Sequence, residues 1–194
     1  MAESDHDERR RAIAQVAIGL IAREGLEAAT VRRIAAEVGF STTIVTHYFA
    51  DKQELLLWAY RAVDEWGRER FERAMARQPV DLVGYLMSMC AVDEVDQTNW
   101  RPLLGIWDRS LRDPAFASEL HGWIDTTLAR LVAIIRLRDP DCADPGMVAR
   151  RLLAMVQGIS LQLVFDRESW TDAAVRDALS AEVEQLVPLH EARP

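Results

Sequence analysis

The residues whose types and spacing best suit chemistry are Thr42, Thr43, Thr46 and His47, short or flat hydrogen-bonding side chains gathered in one brief stretch. On a helix they share an outward face, while Ile44, Val45, Tyr48 and Phe49 fall on the inward one. Ser41 precedes them as an N-cap, its hydroxyl suited to accept from the free N–H groups of the first turn. Such a face offers donors, acceptors and methyl groups, the complement of base edges and thymine methyls in a DNA major groove. Upstream, Val31, Ile34, Ala35 and Val38 recur at one-face helical spacing, and Gly39 supplies a turn through the left-handed region. Ala35 is small enough to let the two helices approach. Two short helices so joined have the pattern of a helix-turn-helix, whose second helix enters the major groove. An ordinary helical hairpin with a polar outer face shares the small residues at these positions.

Other chemistry is sparse. No Gly-rich phosphate loop, GxSxG or HExxH occurs in the chain. His6, His47, His121 and His190 are scattered, with no Cys or carboxylate at metal-ligand spacing, and Cys90 and Cys142 form no CxxC. No enzyme activity, cofactor or metal is expected, and the two thiols fit a reducing cytoplasm.

The chain has 194 residues and is 49% hydrophobic, which fits a soluble globular protein of one domain or two sharing a core. No uncharged apolar run reaches the ~18 residues that a membrane span needs. The opening MAESDHDERRR is charged, unlike a secretory signal. A net charge of −8 runs against DNA binding, because phosphate neutralisation supplies most of the affinity. Residues 1–52 hold seven Arg or Lys against eight Asp or Glu, a net of −1. From Ala28 to Lys52 the balance is three to two, or +1. Helix N-termini at Thr30, Ser41 and Asp51 add backbone N–H contacts to phosphates. Arg9, Arg10 and Arg11 form a candidate basic arm, diluted by Glu3, Asp5, Asp7 and Glu8. The expectation is modest non-specific affinity and a dependence on dimerisation.

These residues must be positioned by helices, since no alternating strand pattern appears anywhere. The spacing predicts nine helices: about Asp7 to Glu24, the two of the motif, Asp51 to Gln78, Asp81 to Glu94, Asn99 to Leu111, Pro114 to Leu137, Pro145 to Arg167, and Thr171 or Asp172 to Val187. Asp-Pro pairs at Asp113 and Asp144 combine an N-cap with proline at the first helical position. The fold class is all-α, with residues 1–50 as the DNA-binding part and 51–194 as a ligand-binding and dimerisation part. Helix 51–78 connects them without a flexible linker. The helix after Pro145 is apolar on nearly every side, which predicts burial all round. With the stripe on the last helix it suggests a two-chain four-helix bundle through Val156, Ile159, Leu163, Val175, Leu179, Val183 and Leu186. A monomer with a larger core is the alternative. Trp66, Trp100, Trp107, Trp123 and Trp170 lie beyond the motif, with acidic Asp64, Glu65, Asp108 and Asp125 close in sequence. Aromatic faces with a carboxylate can hold a quaternary ammonium group, although such aromatics more often fill a core.

The text THYF from Thr46 to Phe49, followed at once by ADKQELL, resembles the tetracycline-repressor (TetR) family of one-component transcriptional regulators. VGFSTTIVTHYFADKQELL is most similar to the branch of choline-responsive repressors of betaine synthesis, over roughly Arg9 to Leu57. From about Trp100 to Trp170, WRPLLGIWDRSLRDPAFASELHGWI and LLAMVQGISLQLVFDRESWT look like effector domains of that branch. The resemblance implies a TetR-like architecture that dimerises through its last two long helices. It implies phosphate contacts by Thr30, His47, Tyr48 and Lys52, beside base reading by Thr42, Thr43 and Thr46. The family often has glycine or a larger polar group where Thr43 stands. A pocket between helices five to eight would draw on Trp66, Tyr85, Met89, Trp107, Trp123, Thr127 and Gln157. The implied protein is a cytoplasmic homodimeric repressor on a palindromic double-stranded DNA operator, released by a small-molecule effector. An activator on the same fold, or a helical small-molecule-binding or interaction protein with a non-functional motif, are the alternatives.

Overall fold

The computed structural model describes the backbone of residues 2–77, 79–92 and 94–188, and the side chains of these except 2–5, 62–66 and 94–99. Among the described residues there are nine α-helices, two single 3-10 turns and no strand. The helices are α1 (Ala2–Glu24), α2 (Val31–Val38), α3 (Thr42–Tyr48), α4 (Lys52–Met75) and α5 (Leu82–Met89), then α6 (Glu94–Ser110), α7 (Pro114–Arg138), α8 (Pro145–Phe165) and α9 (Asp172–Leu186).

Capping fixes most of the starts. The side chains of Thr30, Ser41, Asp81, Asp144 and Thr171 each accept the backbone N–H three residues on, satisfying a donor that the first turn leaves free. Two starts differ from the sequence expectation. α1 begins at Ala2, ahead of the expected Asp7. α6 begins at Glu94, not at Asn99 as the spacing predicts. Pro102 sits inside α6, which tolerates the missing donor.

The chain forms two compact units: residues 1–66 with 98–121, and 67–97 with 122–194. In the first, α1 packs on α2 and α2 on α3. Ile13, Ala17 and Leu20 of α1, Ile34 of α2, Val45 of α3 and Leu55 of α4 are fully buried there. Arg61 of α4 pairs with Glu119 of α7, and this hydrogen bond, ahead of other effects, raises the guanidinium pKa. In the second unit α5 packs on α8 and α9, which also pack on each other. Ala91, just past α5, donates its N–H to the buried Ser160 hydroxyl of α8 at 3.2 Å. Arg138 at the end of α7 donates from Nε to the Val187 carbonyl at 2.8 Å.

The expected interface residues lie inside the protomer. Val156, Ile159 and Leu163 of α8 are at most 4% exposed, and Val175, Leu179 and Val183 of α9 are fully buried within the second unit. Leu186 is half-buried. The physical reason is that α8 has a defined inner face (Ala149, Leu152, Leu153, Val156, Ile159, Ser160 and Leu163), which α5 and α9 cover. It is therefore not buried all round. Its outer face carries Met147 at 54%, Leu161 at 37% and Phe165 at 76% exposure. By length and composition α8 could cross a membrane, yet its inner face is protein core and Arg150 and Arg151 interrupt it.

Leu179→Ala should therefore cost about 2–5 kcal/mol of folding stability. Leu179→Glu should unfold the second unit instead of yielding folded monomers, as thermal melting followed by circular dichroism would show.

Candidate DNA-reading site

The turn between α2 and α3 is set by Gly39, whose φ of 79° and ψ of 24° place it in the left-handed region. Its N–H and that of Phe40 return to the last turn of α2, Phe40 N–H meeting the Ala35 carbonyl at 2.8 Å. Ala35 is 2% exposed, buried as its size requires. On α3, Val45 is buried and Phe49, the residue that ends it, is 1% exposed. Ile44, expected inward, is 39% exposed, so the inner face is narrower than the sequence suggested. Ser41, Thr42, Thr43, Thr46 and His47 are all exposed, and Thr30 is exposed at the start of α2. The Thr46 hydroxyl lies 3.1 Å from the carbonyls of both Thr42 and Thr43, so its proton is committed to its own helix. What Thr46 offers outward is a methyl group and an acceptor.

Tyr48 is half-buried beneath a ring cluster: its ring lies 4.7 Å from His6 of α1 and 5.5 Å from His47. The connection to α4 is a reciprocal cap. Asp51 Oδ1 accepts the Glu54 N–H at 2.8 Å while Glu54 Oε2 accepts the Ala50 N–H at 2.7 Å. The other oxygen of Glu54 accepts from Arg10 Nη2 at 2.5 Å. The Arg10 guanidinium stands 5.0 Å from the Phe49 ring and 5.1 Å from the Trp58 ring. Arg10 is thus a clasp between helices and not part of a basic arm. Sequence reasoning gave His6 and Glu54 no role and gave Arg10 a different one. Only the E three residues after the Asp51 cap carried a local signal.

Most cations of this unit already have carboxylate partners. Lys52 Nζ lies 3.6 Å from Glu27, Arg23 pairs with Glu37, and Arg33 makes a two-pronged contact with Glu24. That hydrogen bonding raises the Arg33 pKa, with the charge of Glu24 adding to it. Arg32 and Arg11 are exposed. Phosphate binding by Lys52, Arg23 or Arg33 has to displace a carboxylate.

The candidate effector residues are divided between the units. Trp107, on α6 in the first unit, is half-buried, with its Nε1 buried and unpartnered among the described residues. Its ring meets that of buried Trp100 edge-on, with centroids 5.7 Å apart at 84°. Asp108 turns to the surface to pair with Arg112 and Asp125 is exposed, so neither serves as the expected carboxylate wall. In the second unit Thr127 is 3% exposed, Trp123, Met89 and Gln157 are half-buried, and Tyr85 is buried with its ring 6.1 Å from Phe71. Tyr85 borders a groove of about 120 Å³ shared with Arg70, Arg73, Arg77, Asp81 and Ser88. Among the expected residues whose side chains are described, no other lines it. The side chain of Trp66 lies outside the described residues.

Comparison with known proteins bears on both parts. A model of bacterial regulatory proteins of the tetR family matches residues 13–58, and one for the C-terminal domain of BetI-type transcriptional repressors matches residues 80–188. The chain belongs to the TetR family, with a BetI-type C-terminal domain. It is a transcriptional regulator with a helix-turn-helix DNA-binding domain, and not an enzyme. The regulator BetI of Paraburkholderia xenovorans is 30% identical over 186 residues, covering 88% of this chain and 89% of the relative. The regulator PksA of Bacillus subtilis is 27% identical over 190 residues, covering 94% and 91%. Among solved structures, a transcriptional regulator from Rhodococcus sp. Rha1 superposes with a TM-score of 0.82 at 21% identity, covering 91% of this chain and 95% of that one. A regulator from Saccharomonospora viridis, solved in complex with choline, superposes with a TM-score of 0.80 at 23% identity, covering 92% and 96%. At these identities the two structures establish a shared TetR fold.

Two outcomes follow for this TetR reading head. Thr46→Val keeps the outward methyl and should preserve base preference, whereas Thr46→Ser removes it and should lose ~1–3 kcal/mol of discrimination at one base pair. Glu27→Gln should free Lys52 for phosphate and steepen the dependence of log affinity on log salt by about 0.9. Both are read from equilibrium binding to matched and scrambled duplexes over a salt series.

Proposed function

We propose that this regulator is a cytoplasmic homodimeric repressor that binds an inverted-repeat operator and is released by a small effector. Residues 1–50 read DNA; residues 51–194 bind effector and dimerise, with α4 joining the two functions. The observation that carries the reading is the exposed threonine face of α3 on a capped, glycine-turned helix pair. Thr42, Thr43 and Thr46 meet base edges, and Thr30, Ser41, His47, Tyr48 and Lys52 hold phosphates. A head whose cations are largely paired has little non-specific affinity, so two heads acting together would supply what one lacks. The dimer forms through the outer face of α8, where Met147, Ala154, Gly158, Leu161 and Phe165 recur at helical spacing.

The effector is a small quaternary ammonium compound. Support comes from the edge-on Trp100–Trp107 pair, whose faces are nearly perpendicular, and from the choline bound to the Saccharomonospora protein. The buried Trp107 N–H has no acceptor among the described residues, and a hydroxyl or carboxylate on such a ligand would supply one. Trp123, Thr127, Met89, Tyr85 and Gln157 belong to the second unit, and Trp66 stays a candidate by sequence alone.

The direct experiment titrates the duplex flanking the regulator's own gene and adds choline or betaine aldehyde. Tight, salt-sensitive binding that weakens with ligand is the expected result. Trp107→Ala should raise the ligand concentration needed while leaving ligand-free binding near wild type. Phe165→Glu should give folded monomers by sedimentation and lose tight binding. A wild-type protein that binds no duplex while still quenching with choline would favour a small-molecule-binding protein with a non-functional motif.

A further inference from the structure

The first turns of α1 lie ahead of the stretch that the tetR-family model covers, residues 13–58, and they touch the end of the reading helix twice. The His6 ring is 4.7 Å from that of Tyr48, tilted by 47°, and 6.5 Å from that of His47. One turn later, Arg10 lies over Phe49 and Trp58 and reaches Glu54. Positions i and i+4 share a helix face, so His6 and Arg10 form one edge of α1. That edge meets His47, Tyr48 and Phe49 in succession, then the first turn of α4.

α3 needs such an edge. It is seven residues long, far below the ~12–15 at which an isolated helix becomes even marginally stable in water. Its side chains bury only Val45, with Phe49 just beyond its end. Whatever packs against its last turn therefore decides how firmly His47 and Tyr48 are aimed.

We propose that His6 and Arg10 are positioning residues for operator recognition, holding His47 and Tyr48 in the orientation that meets the DNA backbone. The first turns of α1 are then part of the reading head, although they precede residues 13–58, which the tetR-family model matches. This rests on the DNA-reading proposal above. His6 acts by ring packing, so its place can be taken by any flat ring of similar size. Arg10 acts by its flat guanidinium, which covers two rings and donates to Glu54 together, a geometry that a lysine ammonium does not reproduce. A misaimed α3 lowers affinity by the fraction of molecules still correctly posed. For contacts of this strength that amounts to about two- to tenfold for each residue.

The test is equilibrium binding of full-length protein to the duplex flanking its own gene, at a temperature well below the melting midpoint of every variant. His6→Ala should lose about two- to tenfold in affinity, and His6→Phe should restore it. Arg10→Lys, which keeps the charge beside Glu54, should lose a similar factor. His6→Ala binding like wild type overturns the role of His6. So does His6→Phe failing as His6→Ala does, because His6 would then touch phosphate itself. Arg10→Lys binding like wild type overturns the role of Arg10. If wild-type protein binds no duplex, the DNA-reading proposal fails and this inference fails with it. Normal wild-type binding with unaffected variants overturns this inference alone.

Discussion

The Glu54 carboxylate is bound on both oxygens: one takes the Ala50 N–H that enters α4, and the other takes Arg10 from α1. Its own N–H is held by Asp51. Three segments meet at this side chain: the first turns of α1, the residues just past the reading helix, and the start of α4. A seven-residue α3 cannot specify its own orientation, so the direction of its outer face depends on this junction and on Val45 and Phe49. Substituting Glu54 would therefore act on DNA reading without any contact to DNA. The cost would be larger than for an exposed ion pair, since Arg10 would be left beside two aromatic rings with its Nε also lacking an acceptor.

Electrostatics shapes the rest. A net charge of −8 and a head in which Lys52, Arg23 and Arg33 each face a carboxylate make a poor general binder of nucleic acid. Exposed ion pairs of this kind are weak, so a phosphate can replace the carboxylate, at the expense of counter-ion gain. Sequence selectivity then has to come from side chains with few charges. The committed hydroxyl of Thr46 and the exposed Ile44 fit a reading surface that is partly apolar, suited to thymine methyl groups.

Much of the fold was legible because helix starts in this chain carry their own chemistry. Thr30, Ser41, Asp81, Asp144 and Thr171 all cap as their types imply, and Gly39 takes the positive φ expected of it. The spacing placed the end of one helix at Glu94, where α6 in fact begins. The apolar stripes of α8 and α9 were visible, but a stripe does not say whether it faces its own chain or another. Leu179 and Val183 pack inward, and the outward face of α8 is marked by fewer residues, with Phe165 at its far end. At the candidate DNA site the cap and turn were readable from local sequence. The contacts of His6 and Arg10 join residues about forty positions apart, as with Arg10 and Glu54, and no local pattern announces them.

The central claim is that two copies of this chain read DNA through the threonine face of α3. Selection of bound duplexes from a random pool by the wild-type protein, with the mass of the resulting complex, measures this most directly. The expected result is an inverted repeat held by two chains, with its conserved steps lost when the selection is repeated with Thr46→Ser. A pool that shows no enriched sequence, or one enriched sequence bound by a single chain and unchanged by Thr46→Ser, would contradict it.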